Sequence, residues 1–268
     1  MKIDFDILAV DDEKIVIDAL KKICEFENLT VDTASDGTVA LDKISNNNYG
    51  LILCDIMMPE MDGFQFLAEL KNKKKNTPVI ITSGYSTSEN AVKAMHEGAI
   101  DFLPKPFTFE ELSSTLMRGI NFSRLNKSTN YNLQSSGFMH SLYVACPPQY
   151  YRLGYISWVK LNTDGIAMTG IVNLFFELTE SVSRIRLQPK GANVVLGQNF
   201  LTVIDSKDRE HSVLSPVSGK IVEINDSLTE NINLMEKDPY FKGWVYKIIP
   251  SDTEHDIAQL IPCSSDRV

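Results

Sequence analysis

Five short strand-like segments, each followed by a helical stretch, dominate the first 123 residues of the chain. The helical stretches carry apolar residues three and four positions apart, which is the spacing of one helix face. Strands that alternate with helices form a parallel sheet with both faces covered. The pattern predicts an α/β fold with a doubly wound, five-stranded parallel sheet. Its strands are expected at residues 7–10, 29–34, 51–54, 78–82 and 99–103.

The length of 268 residues is enough for about two domains of ordinary size. Hydrophobic residues make up 43% and charged residues 23%, as in a typical globular protein. Residues 124–148 are rich in Asn and Ser and only weakly periodic, which is typical of a linker. Further along, the pattern becomes mostly β. We therefore expect domains at residues 1–123 and 149–256, with residues 257–268 as a C-terminal tail.

The charge of the chain argues against several classes of partner. A net charge of -9 repels nucleic acid and anionic membranes. Residues 124–268 show no recognition helix with a basic face, so we expect no DNA binding. The apolar runs are too short to span a membrane, and the start, M-K-I-D-F-D, lacks the apolar stretch of a signal peptide. These features predict a cytoplasmic protein without membrane insertion.

The sequence also lacks two kinds of pattern that would indicate particular chemistry, namely paired cysteines and catalytic motifs. The four cysteines (Cys24, Cys54, Cys146 and Cys263) show no paired or metal-ligand spacing, which suits a reducing cytosol. No phosphate-cradling Gly-rich loop, Ser/His/Asp arrangement or Cys/His metal site stands out. We therefore do not expect a conventional enzyme.

Three carboxylates follow predicted strands. Asp11 and Asp12 come directly after the first strand, and Asp55 comes directly after the third. The carboxyl ends of parallel strands meet at one edge of the sheet, where binding sites form. Two carboxylates about 4 Å apart repel each other by about 4 kcal/mol at an effective dielectric constant of 20. A bound cation would relieve that repulsion, and oxygen ligands favour Mg²⁺.

A hydroxyl and an ammonium group follow two other strands. Ser83 comes after the fourth strand, and Lys105 comes after the fifth. Beside a carboxylate–Mg²⁺ cluster, these groups would stabilise a phosphoryl group that arrives on a carboxylate. Alternatively, the acidic residues only cap a helix and Lys105 is a solvated surface charge. Any one of these residues alone would fit that interpretation. Five such residues at strand ends argue against it.

Four stretches identify a family for residues 5–123. They are I-L-A-V-D-D-E, L-I-L-C-D-I-M-M-P-E-M-D-G, P-V-I-I-T-S-G-Y and G-A-I-D-F-L-P-K-P-F. Together they resemble the receiver domain of two-component response regulators. The resemblance implies that Asp55 accepts a phosphoryl group from a sensor histidine kinase or a phosphotransfer protein. It also implies that Asp12, Asp55 and the backbone carbonyl of Met57 hold Mg²⁺, with Asp11 acting mainly through water.

The same resemblance implies a switch. Lys105 would pair with the phosphoryl oxygens, and its peptide bond to Pro106 would be cis. Ser83 would supply the switch hydroxyl, and Phe102 would turn into the space that Ser83 leaves. Plain core packing is the alternative for Phe102. The change would remodel the face of the fourth helix, fifth strand and fifth helix, at about residues 88–120, which is also a candidate homodimer surface.

The second half resembles another family. Residues 215–225 read S-P-V-S-G-K-I-V-E-I-N, and residues 238–248 read D-P-Y-F-K-G-W-V-Y-K-I. Upstream lie I-S-W-V-K-L, D-G-I-A-M-T-G-I and Q-P-K-G. In order and spacing, residues 152–252 are similar to the H protein of the glycine cleavage system. This resemblance implies a mostly β barrel-sandwich hybrid, as in lipoyl domains.

The H protein carries lipoate on a lysine at a hairpin tip. Counting back from Pro216 without gaps places that position on Asp208, with Lys207 one residue early. A shift of one residue in a strand turns a side chain to the other face. A one-residue change in the loop would return Lys207 to the tip, so a lipoyl site at Lys207 stays open. The count favours a domain without lipoate, and nearby His211 fits a structural or exposed role better than a ligand role.

Three functions compete. In the first, phosphorylation of Asp55 controls which protein partner the H-like domain binds. In the second, the chain is a lipoyl carrier gated by phosphorylation, with lipoate on Lys207. In the third, the chain is a phosphate sink whose second domain only stabilises it. We expect the first function, with Mg²⁺ as cofactor and a protein of unknown identity as the output partner.

Overall fold

A computed structural model of the chain describes residues 4–84, 87–133 and 144–263. The strands of its N-terminal part are β1 (Asp4–Val10), β2 (Val31–Ala34), β3 (Asn48–Asp55), β4 (Val79–Ser83) and β5 (Asp101–Pro104). The helices there are α1 (Lys14–Phe26), α2 (Gly37–Asn46), α3 (Gly63–Asn72), α4 (Ser88–His96) and α5 (Phe109–Leu133). The chain forms two compact units: β1–β5, α1–α3 and α5 belong to the first, and α4 and the elements after α5 belong to the second.

The sheet of the first unit has the strand order β2-β1-β3-β4-β5, and every neighbouring pair is parallel. All five predicted strands are present, so the predicted doubly wound parallel sheet is confirmed. The order places the carboxyl ends of β1, β3, β4 and β5 at one edge of the sheet. That edge carries the polar residues that the sequence singled out.

Local caps fix the helices that follow the strands. The Asp36 side chain accepts hydrogen bonds from the backbone N–H groups of Thr38 and Val39 at the start of α2. Asp62 and Gln65 form a capping box at the start of α3. A Cβ atom on Gly63 would lie only 2.4 Å from the backbone oxygen of Asp55. Glycine there allows α3 to start directly against the end of β3.

Helix α5 packs on the sheet and extends beyond the predicted domain boundary. Leu112 and Leu116 are buried, and a Cβ atom on Gly119 would lie 2.7 Å from the side chain of Ile80. The helix continues to Leu133, so residues 124–133 of the predicted linker are helical. The remaining predicted linker includes residues 134–143, which lie outside the described residues.

The second unit is mostly antiparallel. Its later strands are β6 (Tyr151–Leu153), β7 (Ser157–Leu161), β8 (Ala167–Ile171), β9 (Val182–Leu187), β10 (Asn193–Val194), β11 (Asn199–Asp205), β12 (Glu210–Leu214), β13 (Gly219–Ile224), β14 (Tyr246–Pro250) and β15 (Ile261–Pro262). Its short helices are α6 (Asn173–Leu178), α7 (Ser227–Glu230), α8 (Leu234–Lys237) and α9 (Thr253–Ala258). A seven-stranded sheet has the order β10-β13-β14-β8-β7-β6-β15, and a three-stranded sheet has the order β12-β11-β9. This arrangement is consistent with the predicted barrel-sandwich hybrid.

Residues 257–263 do not form the predicted tail. They contain the end of α9, strand β15 and Cys263. Strand β15 pairs with β6 through Ile261–Arg152 and Pro262–Tyr151, and the backbone N–H of Cys263 donates to the carbonyl of Tyr150. These contacts hold the end of the described chain against the first strand of the second unit.

The cysteine spacing, which suited a reducing cytosol, does not reveal that two of the four cysteines pair. Cys146 and Cys263 form a disulfide, with their Cα atoms 5.4 Å apart and a sequence separation of 117. The return of β15 to β6 brings them together, and spacing alone does not reveal such a return. Cys24 and Cys54 are free and buried in the first unit.

Trp158 fills the core of the second unit directly over a glycine. Trp158 in β7 is paired in register with Gly170 in β8 and is fully buried. A Cβ atom on Gly170 would lie 2.5 Å from Cζ2 of the Trp158 ring. Tyr150 and Tyr240 pack around the same ring, with centroids 5.1 and 5.8 Å away. The ring therefore has little room to move.

We expect Gly170→Ala to lower the free energy of unfolding by about 1–3 kcal/mol, because overpacking forces side chains and backbone to shift. Urea denaturation followed by circular dichroism measures the change. Adding Trp158→Phe should recover part of the loss, because it removes the atoms nearest the new methyl group. It also removes Nε1, a buried donor with no partner among the described residues. Equal stability of wild type and Gly170→Ala would contradict the packing described here.

Within the residues that the structure describes, no helix is both long enough and apolar enough to cross a membrane.

Candidate phosphoryl-acceptor site

The three carboxylates predicted to converge do so at the ends of β1 and β3. Val10 and Cys54 are paired in register, which sets Asp11 beside Asp55. One carboxylate oxygen from each of Asp11, Asp12 and Asp55 lies within 4.8 Å of the others. Asp11 and Asp55 are buried, whereas Asp12 is exposed. The cluster therefore has two buried carboxylates and one that faces solvent.

Lys105 connects the cluster to the end of β5. Its Nζ atom lies 2.9 Å from Asp11, 3.2 Å from Asp55 and 2.8 Å from Glu13. The peptide bond between Lys105 and Pro106 is cis, as the resemblance implies. Lys105 was predicted to lie in this site, whereas its contact with Glu13 was not. One ammonium group thus binds three carboxylates.

Burial and neighbouring charges both shift pKa values in the cluster. Burial raises the pKa of Asp55 and of Asp11, although hydrogen bonds and attraction from Lys105 lower both in part. Burial would lower the pKa of Lys105, but hydrogen bonds to Glu13 and Asp11 outweigh it and raise that pKa. Lys105 therefore stays protonated at neutral pH and holds positive charge beside the Asp55 carboxylate.

Two other groups contact the Asp55 carboxylate. The backbone N–H of Met57 donates to Oδ2 at 3.1 Å. The hydroxyl of Thr82 donates to Oδ1 at 3.4 Å, and Thr82 is paired in register with Asp55 across β3 and β4. Thr82 was not predicted as a site residue. Its contact with Asp55 depends on the register of β3 against β4, and the only sequence signal was a polar residue at the end of an apolar strand.

Ser83 and Phe102, the two predicted switch residues, lie on neighbouring strands. Ser83 ends β4, is fully buried, and accepts a hydrogen bond from the backbone N–H of Lys105 at 2.8 Å through its carbonyl. Phe102 lies in β5, paired in register with Ile81, and is 5% exposed. Their burial suits both a switch role and core packing, so the switch assignment stays a prediction.

A surface cavity opens beside the cluster. It has a volume of about 520 Å³, and Glu13, Gly84, Lys105 and Phe107 are among its lining residues. A Cβ atom on Gly84 would meet nothing within 4 Å. The cavity therefore borders Lys105 and Glu13, on the side of the cluster that faces α1.

The donor set fits a hard divalent cation. Carboxylate and carbonyl oxygens are the ligands that Mg²⁺ prefers, and usually one or two carboxylates bind it alongside waters. Asp12 and Asp55 offer such carboxylates. The Met57 carbonyl, which the resemblance implies as a third ligand, stays a prediction. The exposed Asp12 leaves a side open to water.

We expect Asp12→Asn to weaken Mg²⁺ binding at least about ten-fold, because it removes a charged ligand from the cluster. Calorimetric titration of the full chain with Mg²⁺ measures this. Asp42→Asn is the matched control, because Asp42 is an exposed carboxylate on α2 outside the cluster. Equal Mg²⁺ affinity for the Asp12 variant and the control would remove Asp12 from the metal site.

In the second unit, a buried aspartate organises the hairpin between β11 and β12. Asp205 is fully buried and accepts hydrogen bonds from the backbone N–H groups of Lys207 and Arg209. It also accepts from Nε of Arg209 at 2.9 Å and lies 3.1 Å from Nε2 of His211. Burial alone would raise the pKa of Asp205, but the contacts with His211 and with these N–H groups hold it below its usual range.

Both candidate lipoyl positions on this hairpin form ion pairs. Nζ of Lys207 lies 2.6 Å from Glu180, and Asp208 lies 2.6 Å from Arg184. Asp208 has a φ of 60°, in the left-handed region where Asn and Asp are enriched among residues other than glycine. A lysine at position 208 would therefore lose both the ion pair and a favourable backbone conformation.

His211 has a structural environment. It is 1% exposed, contacts Asp205, and lies edge-on to the Phe175 ring with centroids 6.2 Å apart. Of the structural and exposed roles that the sequence favoured, its burial fits the structural one.

Comparisons with known proteins match this architecture. The family model described as response regulator receiver domain matches residues 7–117, and the one described as glycine cleavage H-protein matches residues 149–264. The chain is 38% identical over 123 residues to transcriptional regulatory protein ZraR of Klebsiella oxytoca, covering 46% of this chain and 28% of that protein. It is 36% identical over 106 residues to response regulator MprA of Mycobacterium sp. strain KMS, covering 40% of this chain and 46% of that protein.

The chain thus spans less than half the length of each of these curated relatives. A solved structure of the receiver domain of Francisella response regulator 1452 is 35% identical, with a TM-score of 0.42. The match covers 43% of this chain and 96% of the chain in the solved structure. Residues 7–117 are a response regulator receiver domain, and residues 149–264 are a domain of the glycine cleavage H-protein family.

Proposed function

We propose that the chain is a two-component response regulator in which Asp55 accepts a phosphoryl group and the H-like domain binds the output partner. The observation that carries the proposal is the contact of the Lys105 ammonium group with both Asp55 and Asp11. The donor would be a sensor histidine kinase or a phosphotransfer protein. A receiver domain implies such a partner.

The residues of the site have separate tasks. The Asp55 carboxylate attacks phosphorus. The three oxygens of the phosphoryl group bring further negative charge, which a positively charged neighbour stabilises. Lys105 is that neighbour, since it already lies 3.2 Å from Asp55 and is held protonated by Asp11 and Glu13. The backbone N–H of Met57 is a second donor for the incoming oxygens. Mg²⁺, held by Asp12, Asp55 and the Met57 carbonyl, with Asp11 acting through water, would neutralise charge on the phosphoryl group.

Phosphorylation would then reshape the surface of the receiver domain. The group adds a charge of about -1.5 to -2 and three acceptor oxygens. Ser83 would move toward it, and Phe102 would take the space that Ser83 leaves. Coupling of this kind between sites is typically worth about 1–3 kcal/mol. A second copy of the chain is one candidate partner for the reshaped surface.

For the second domain, we propose binding without lipoate. Lys207 is paired with Glu180, and Asp208, at the position that the gap-free count selects, is a carboxylate and not an amine. The proposed output is therefore a protein contact and not DNA binding. The cytoplasm stays the proposed location, but the Cys146–Cys263 disulfide removes the cysteine pattern as an argument for it. The alternative is a phosphorylation-gated lipoyl carrier with lipoate on Lys207, since Lys207 lies in the turn of the hairpin.

Partner capture tests this function. The full chain is immobilised, treated with Mg²⁺ and acetyl phosphate, and the proteins that it retains from its host's extract are quantified. The Asp55→Asn variant receives the same treatment. We expect at least one protein whose retention differs at least about five-fold, since a coupling of about 1–3 kcal/mol gives changes of that order. Identical sets of retained proteins would support the phosphate-sink alternative instead.

A further inference from the structure

The hydroxyl of Thr82 is the feature of the phosphoryl-acceptor site that the proposed function leaves without a task. Thr82 lies in β4, is fully buried, and has its Cα in register with that of Asp55. Its Oγ1 atom donates to Asp55 Oδ1 at 3.4 Å. Lys105 reaches the same oxygen at 3.2 Å, whereas the Met57 N–H reaches Oδ2. Oδ1 therefore has two donors, one charged and one neutral.

We infer that Thr82 is a positioning residue that sets how fast Asp55 gains and loses its phosphoryl group. The inference rests on the proposed phosphorylation of Asp55. The hydroxyl does not touch phosphorus and acts only through the carboxyl group of Asp55. Because it is buried, water cannot replace it as a donor without a change in packing.

The direction of the effect follows from the charge on the carboxyl group. In phosphorylation, an Asp55 oxygen forms a bond to phosphorus, and the bond from phosphorus to the donor atom breaks with its electron pair left on that atom, a histidine nitrogen of a kinase or an oxygen of acetyl phosphate. The Asp55 carboxylate loses negative charge in this step. A hydrogen bond from Thr82 is stronger to the carboxylate than to the acyl phosphate that replaces it. The bond therefore slows phosphorylation.

Hydrolysis runs the other way. A water oxygen bonds to phosphorus, the bond from phosphorus to Asp55 breaks, and its electron pair returns to the carboxylate while the water's protons pass to phosphate and solvent. The Thr82 hydroxyl stabilises the returning negative charge and so speeds this step. One buried hydroxyl thus lowers the steady-state population of the phosphorylated state through both rates.

Three variants test the inference in the full chain. Thr82→Val keeps the shape of the side chain and removes the donor, Thr82→Ala removes donor and bulk, and Thr82→Ser keeps the donor. Phosphorylation by acetyl phosphate with Mg²⁺ and hydrolysis after its removal are followed by intact mass. We expect the Val and Ala variants to phosphorylate roughly three- to ten-fold faster and hydrolyse more slowly by a similar factor, on the scale of one hydrogen bond to a charged group. The Ser variant should return both rates toward wild type.

The two failures are distinguishable. If wild type gains a phosphoryl group and the Val and Ala variants match its rates, the inference fails and the proposed function stands. If both rates fall together in those variants, Thr82 is a packing residue only. If wild type gains no phosphoryl group, the proposed function itself fails and the inference fails with it.

Discussion

Asp55→Asn is expected to reduce phosphoryl uptake to background. The amide cannot act as a nucleophile toward phosphorus as a carboxylate does, and it takes one negative charge out of the cluster with Asp11 and Asp12. Lys105 stays paired with Asp11 and Glu13 in this variant, so the fold should remain intact. Incubation with radiolabelled acetyl phosphate and Mg²⁺, followed by filter binding, measures the uptake.

The control for this experiment is Asp42→Asn. It makes the same chemical change on an exposed residue of α2 and should leave uptake at the wild-type level. Chelating Mg²⁺ in the wild-type sample should also abolish uptake. If label accumulates in the Asp55 variant as it does in wild type, the phosphoryl group goes elsewhere and the assignment of Asp55 is wrong.

Loss of the disulfide is expected to be the largest change in stability. The Cys146–Cys263 bridge closes a loop of 117 residues, which covers nearly the whole second domain. In the chain-entropy account, a bridge of this span stabilises the folded state by about 4–5 kcal/mol. It also holds β15, which has only two residues in register with β6. The Cys146→Ala, Cys263→Ala double variant should therefore unfold at much lower urea concentration.

Tryptophan fluorescence reports this transition, because Trp158 and Trp244 are the two tryptophans of the chain and both lie in the second domain. Wild type treated with dithiothreitol should unfold like the double variant. Cys24→Ala, which removes a free cysteine in the first unit, should leave the tryptophan transition in place. Equal midpoints for oxidised and reduced wild type would show that the bridge carries no stability.

The parallel sheet and its site were predictable because topology determines where strand ends lie. Once five apolar segments alternate with helices, the residues after each strand meet at one edge. Asp11, Asp55 and Lys105 are brought together there as expected. Two neighbours of the site were missed for different reasons. Glu13 reaches Lys105 through the course of a loop, which spacing does not specify, whereas Thr82 needed the register of β3 against β4.

The second domain was less accessible to sequence reasoning. Its antiparallel strands are short, and their partners are far apart in sequence, so the return of β15 to β6 was not visible. The disulfide and the ordered residues up to 263 follow from that return. Likewise, the hairpin residues Lys207 and Asp208 are exposed, as their charge suggests, but the buried anchor Asp205 was not predicted. Burial of a polar residue depends on all its hydrogen-bond partners, which only the assembled fold reveals.

The most direct test of the account is one intact-mass measurement. The full chain is expressed in a lipoate-replete host with an active lipoyl ligase, and then treated with acetyl phosphate and Mg²⁺. The account predicts the mass increase of one phosphoryl group, mapped by peptide analysis to Asp55, and an unmodified Lys207. A lipoyl group on Lys207 would make the chain a carrier of lipoate. Failure of Asp55 to gain a phosphoryl group would contradict the proposed function.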